Sequence, residues 1–136
     1  METSVLLVFG SFVWMALAWF FRQHRNFHII AMCLLMLFDF FFPVYLYMTH
    51  DWWQRLIVEK EVLDFLVWSH LMLDLVLYAL YVLQILAGRA MLSASNHEDY
   101  AAHQGEHAKQ FLGILVVRIL VFSSGALLIV PSTAAS

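Results

Sequence analysis

Charge is scarce in this chain of 136 residues. Lys, Arg, Asp and Glu make up 12% of it, while 63% of the residues are hydrophobic. A soluble domain carries about a quarter charged and about half apolar residues, so that composition is excluded. Positive excess is also missing: seven Lys and Arg face ten Asp and Glu, for a net charge of −3 and a pI near 6.1. The electrostatic footprint of a nucleic-acid-binding protein is therefore absent. Cysteine occurs once, as Cys33. It lies inside an apolar stretch, cannot close an intrachain disulfide and says little about redox compartment. The first residues, Met1-Glu2-Thr3-Ser4, lack the basic segment that opens a secretory signal. The first apolar stretch is therefore expected to be kept as a membrane helix.

What is present is apolar length. Four windows, about 4–21, 28–49, 62–87 and 111–130, are long enough to cross roughly 30 Å of hydrocarbon. Backbone polar groups cannot be left open in lipid, so each window is expected to be an α-helix. Short connections make sequential helices neighbours. The expected fold is an all-α integral membrane protein, an antiparallel up-down bundle of four transmembrane helices forming one membrane domain over 1–136. No clear internal repeat is visible. Pro43, after Phe40-Phe41-Phe42, removes one hydrogen bond from span two and is expected to kink it. Ser95 and Glu98 read as a capping box for a short amphipathic helix over 96–107, which Gly105 weakens by about 1 kcal/mol. Pro131 is expected to end span four, ahead of a frayed tail.

Orientation follows from Lys and Arg near span ends. Arg22 and Arg25 lie in loop one, and Arg89 and Lys109 in loop three. Arg55 and Lys60 in loop two are offset by Asp51, Glu59 and Glu61. The bias puts loops one and three in the cytoplasm and both termini outside, with Trp52 and Trp53 in an outer aromatic belt. The compartment expected is a prokaryotic cell membrane.

Ionisable residues inside the spans mark candidate sites, because charge is costly at membrane depth. Asp39 lies about 11 residues along span two, Asp74 about 12 along span three and Arg118 about 8 into span four; at about 1.5 Å per residue, alternating spans bring all three near the midplane. One reading is a buried charge network that fixes helix packing, with Arg118 compensating the carboxylates. The other is a proton relay or an anchor for a charged ligand. Tyr78 and Tyr81 fall on nearly the same face as His70 and Asp74, where they either extend a polar stripe or simply pack.

Seven histidines carry the second signal. His24 and His28 are four residues apart before span two, and His103 and His107 repeat that spacing before span four. Residues four apart share a helix face. The two pairs could supply four imidazoles to copper, zinc, iron or nickel, with Glu98, Asp99 and Glu106 as further ligands or acceptors. The plainer reading is that they are interfacial histidines. His70 sits about 12 Å below the outer surface, so one haem shared by His70 and His28 would have to bridge roughly 25 Å. His70 is left to bind with a non-histidine partner, to donate to Asp74, or to serve as a hydrogen-bonded core residue.

These spaced residues carry a resemblance. His28 opens span two with Met32 one turn later, His70 lies in the outer part of span three, Gly88 closes that span, His107 opens span four and Gly125 sits late in it. Over spans two to four the chain resembles the small four-helix bacterial and archaeal membrane family of unknown function whose bacillar members are needed for maturation of haem-A cytochrome c oxidase. The resemblance implies that His28, His70 and His107 match the family's characteristic histidines. It also implies a role in assembling or supporting a haem-copper oxidase by handling copper or haem. Loop three departs from the pattern in its length and in His97 and His103. The Asp39, Asp74 and Arg118 set departs from it too.

Three functions follow: an accessory or maturation protein of a respiratory complex, a small structural subunit of a larger membrane complex with no cofactor, and a b-type cytochrome subunit. Partners are then a larger integral membrane complex and the lipid bilayer. A histidine-rich di-iron oxygenase would need more histidine motifs than are present, and no catalytic residue is assigned.

Overall fold

The computed structural model describes residues 3–60 and 63–129. It consists of four long helices and one π-helical turn: α1 Thr3–Phe20, α2 Arg25–Thr49, the turn Gln54–Val58, α3 Phe65–Ser93 and α4 His97–Ile129. No strand occurs among the described residues. All four helices are long and apolar enough to cross a membrane. The chain divides into two compact units, 1–59 with α1 and α2, and 60–136 with α3 and α4.

In the first unit α1 and α2 form a hairpin. The indole Nε1–H of Trp14 donates to the Ala31 carbonyl at 2.9 Å, and Phe21 meets Phe27 edge-on with ring centroids 5.5 Å apart. The reversal takes only four residues. Arg22 N–H turns to the Trp19 carbonyl at 3.2 Å, so the usual fourth-residue bond to Ala18 is not made and that carbonyl becomes one of the open groups every helix end must place. The Nδ1–H of His28 donates to it at 2.9 Å. The first turn of α2 thus caps the last turn of α1.

Helix α2 continues through Pro43 to Thr49. Proline has no N–H for the carbonyl four residues back, here that of Asp39. Beyond α2, Trp52 Nε1–H donates to the Leu46 carbonyl at 3.2 Å and Arg55 stacks over the Trp52 ring at 4.9 Å.

In the second unit α3 opens at Phe65. Asp64 sits at the N-cap, and its carboxylate accepts the Leu66 N–H at 3.0 Å; cap geometry, rather than the edge of the apolar window, sets the start. Val62, the expected start, lies outside the described residues. The helix continues past 87 to Ser93, because leaving apolar sequence ends a membrane span but does not end a helix.

The expected short helix over 96–107 and span four are one helix, α4, 33 residues long. Gly105 does not break it. Its cap is also one residue later than Ser95 and Glu98 suggested: the Asn96 side chain accepts the Asp99 N–H at 2.8 Å and donates to the Asp99 carboxylate at 2.9 Å. Asparagine outranks serine only slightly as a cap, but the Asn96 amide bonds both the main chain and the side chain of Asp99, which fixes it at the helix start. Val130, Pro131 and the tail, where span four was expected to end, lie outside the described residues.

Apart from the adjacent Ala31 and Met32, buried residues repeat every three, four or seven positions: Ser4, Ser11, Met15 and Ala18 on α1; Ala31, Met32, Leu35, Asp39 and Phe42 on α2; Leu77, Tyr81, Gln84 and Ala87 on α3; Ile114, Arg118, Val121 and Leu128 on α4. This is the seam spacing of long packed helices. It also exposes a correspondence that the sequence alone hid. At one constant offset His28 matches His107, Leu35 matches Ile114, Asp39 matches Arg118 and Phe42 matches Val121. The last three pairs are buried at both positions.

Candidate functional site: histidine seats on the helical hairpins

Four contacts set the register of α3 against α4: His70 with Ser124, Leu80 with Gly113, Gln84 with His107, and Gly88 with His107. Later residues of α3 meet earlier residues of α4. Two of these contacts form a reciprocal pair. The ring of His70 on α3 rests where a Cβ on Gly125 of α4 would come 3.2 Å from its Cε1. The ring of His107 on α4 rests where a Cβ on Gly88 of α3 would come 3.6 Å from its Cε1. The same interval separates His70 from Gly88 along α3 and His107 from Gly125 along α4. Each helix therefore gives a histidine to the other and receives one on a glycine.

At the first seat His70 Nδ1 is 2.8 Å from Ser124 Oγ, and its Nε2 is 3.5 Å from Asp74 Oδ2, one turn further along α3. The Ser124 hydroxyl also lies 2.9 Å from the Val121 carbonyl. A hydroxyl has one proton to donate. When it goes to Val121, Nδ1–H of His70 donates to Ser124. When it goes to His70, Nδ1 accepts and the ring proton is on Nε2, facing Asp74. The ring proton can thus sit on either nitrogen, and only with it on Nε2 does the ring offer Asp74 a donor. The partly exposed side chains, 25% for His70 and 16% for Asp74, place the cluster at the edge of the packed seam rather than inside it.

At the second seat His107 Nε2 is 3.1 Å from Gln84 Nε2. Gln84 is 97% buried, having 3% of its surface exposed. Helix α4 brings Gln110 one turn beyond His107. The other predicted residues fall as follows. His24 is not on α2 but at its N-cap, in non-helical backbone (φ −87°, ψ 86°) beside Phe21, so it does not share a helical face with His28. His103 faces Glu106 at 3.5 Å. Asp39 is 5% exposed, on the α2 seam between Leu35 and Phe42. Arg118 is wholly buried, with its guanidinium over the Phe122 ring at 5.2 Å.

The structure thus brings His70 and Asp74 together, as their spacing suggested, and gives His28, His103 and His107 a protein partner each. Among the described residues no group of three or more His, Cys, Asp or Glu side chains is arranged to hold a metal ion. Sequence reading missed Gln84, Ser124 and the Ala18 carbonyl. Gln84 had a signal, being an amide inside an apolar window. The carbonyl had none, since a main-chain acceptor leaves no mark on residue type.

Comparison of the chain with protein-family models, with curated proteins and with solved structures finds no match.

Proposed function

We propose that the chain is an integral membrane protein, an antiparallel four-helix bundle, that acts as an accessory or maturation protein of a haem-copper-type respiratory complex and handles copper or haem through histidine. Loops one and three face the cytoplasm in this reading, following Arg22, Arg25, Arg89 and Lys109. Its membrane part is supported by four apolar helices that leave Phe9, Phe20, Met48 and Phe65 largely exposed, a surface that water does not tolerate at this extent.

The single observation that carries the histidine part is the bond from His28 to the Ala18 carbonyl. A carbonyl only accepts, so the proton of the neutral ring is fixed on Nδ1 and Nε2 is the basic nitrogen. Metal-ligating histidines are oriented in this way, through the second ring nitrogen. His70 and His107 are likewise held at one nitrogen. Their seats are eighteen residues apart, about 27 Å along the hairpin, so they do not share one haem.

The test is metal analysis and an absorption spectrum on protein purified gently from its native membrane, with the co-purifying chains identified. Stoichiometric copper or a Soret band, lost in His28→Gln, is the expected result; glutamine keeps an N–H for Ala18 while removing the imidazole. A colourless, metal-free chain that runs with a larger complex would replace this reading by a structural subunit. That second reading is favoured by one observation, that the contacts of His28, His70 and His107 are made within the protein.

A further inference from the structure

The second histidine seat contains more polar atoms than the protein satisfies. The side-chain oxygens Oε1 of Gln84 and Gln110 are both buried, and no protein donor lies within hydrogen-bonding reach of either. An amide oxygen shut away from water without a donor costs about 1–3 kcal/mol. Gln84 touches His107 directly, and Gln110 follows His107 by one helical turn on α4, where residues three apart are neighbours on the helix surface.

We propose that Gln84, Gln110 and His107 form a binding site for a water molecule held inside the α3–α4 hairpin. Buried waters serve this purpose, making about three hydrogen bonds to otherwise unsatisfied groups. Water also suits either orientation of the Gln84 amide. With Nε2 towards His107, the free oxygen accepts from the water. With the amide turned over, the oxygen accepts from His107 Nε2–H and the amide N–H₂ donates to the water.

The donor set of the site selects against a metal ion. Its groups are two neutral amides and one imidazole, and the charged residues closest in sequence, Arg89, Glu106 and Lys109, are exposed. One imidazole is fewer than the three or four strong protein ligands that such metal sites supply.

This inference concerns His107, whereas the proposed function is carried by His28, so either can fail alone. The experiment is solid-state NMR on the full chain in bilayers, reading magnetisation transfer from water protons to the side-chain amides of Gln84 and Gln110. Transfer to Gln84 should exceed transfer to the buried backbone N–H of Ile114 severalfold. Gln84→Met and Gln110→Met keep the side-chain volume and remove one amide each. With helical content unchanged, each should reduce transfer at the remaining glutamine severalfold. No transfer to Gln84 in the wild type overturns the proposal. So does transfer at Gln110 that is unchanged by Gln84→Met, which would assign it to interfacial solvent. If one equivalent of Zn²⁺ or Cu²⁺ abolishes transfer to Gln84, the site takes a cation and the water assignment is wrong.

Discussion

The two hairpins solve the same problem with different chemistry. In each, the second helix carries a histidine that reaches back to the first, and a buried charge follows eleven residues later: His28 then Asp39, His107 then Arg118. The first hairpin fastens its helices by side chain to main chain, Trp14 to the Ala31 carbonyl and His28 to the Ala18 carbonyl. The second fastens them by side chain to side chain, His70 to Ser124 and Gln84 to His107. A main-chain acceptor survives any substitution at its own position that fits sterically. A side-chain acceptor is lost with its residue. The second hairpin should therefore be the more easily altered of the two, and it is also where the glycine seats and the buried amides occur.

Substitutions can break or sharpen that comparison. The largest effect is expected at the buried charges. Arg118→Met strands the groups that the guanidinium serves and should cost about 3–5 kcal/mol, read by denaturant unfolding in detergent. Asp39→Asn keeps hydrogen-bonding capacity and should cost less. Equal losses at both positions would make the two charges equivalent after all.

Next come the fastenings. His28→Phe leaves the Ala18 carbonyl without its donor and should cost about 1–3 kcal/mol. Ala18→Gly should leave the bond in place. An NMR shift of the Ala18 carbonyl reports the bond in each variant.

The two glycine seats should respond to one substitution with different signs. Alanine in place of a helical glycine stabilises by roughly 0.5–1 kcal/mol where there is room. Gly88→Ala meets His107 at an ordinary 3.6 Å and should gain most of this; Gly125→Ala meets His70 at 3.2 Å and should gain nothing or lose stability. Thermal unfolding of the two variants side by side tests whether the seats differ in tightness.

The smallest effect is expected outside both seats. Asn96→Ala removes the cap of α4 and should cost about 1 kcal/mol, seen as increased amide exchange over His97–Tyr100 with little change near Arg118.

Much of the fold was legible because membrane crossing is written in composition. Twenty apolar residues in a row leave few options, and all four helices lie where the windows are. Their ends were less legible, since helix ends depend on caps. Asp64 and Asn96 set the starts of α3 and α4, while the apolar windows start elsewhere. Of the site, the His70 and Asp74 contact followed from helical spacing. The glycines Gly88 and Gly125 were noted only as members of a resemblance, and their place beneath His107 and His70 required the register of one helix against another. The match between Asp39 and Arg118 was invisible for a related reason: opposite charges look unrelated until burial puts them at the same seam position.

Helix α4 has one further consequence. It runs unbroken from a polar, capped end at His97 to an apolar end at Ile129. Arg118 lies roughly 30 Å along the same rod from His97. A rod without a hinge transmits displacement along its axis and torque about it. Anything that grips the turns from His97 to Lys109 therefore has leverage on the buried guanidinium of Arg118 without touching it.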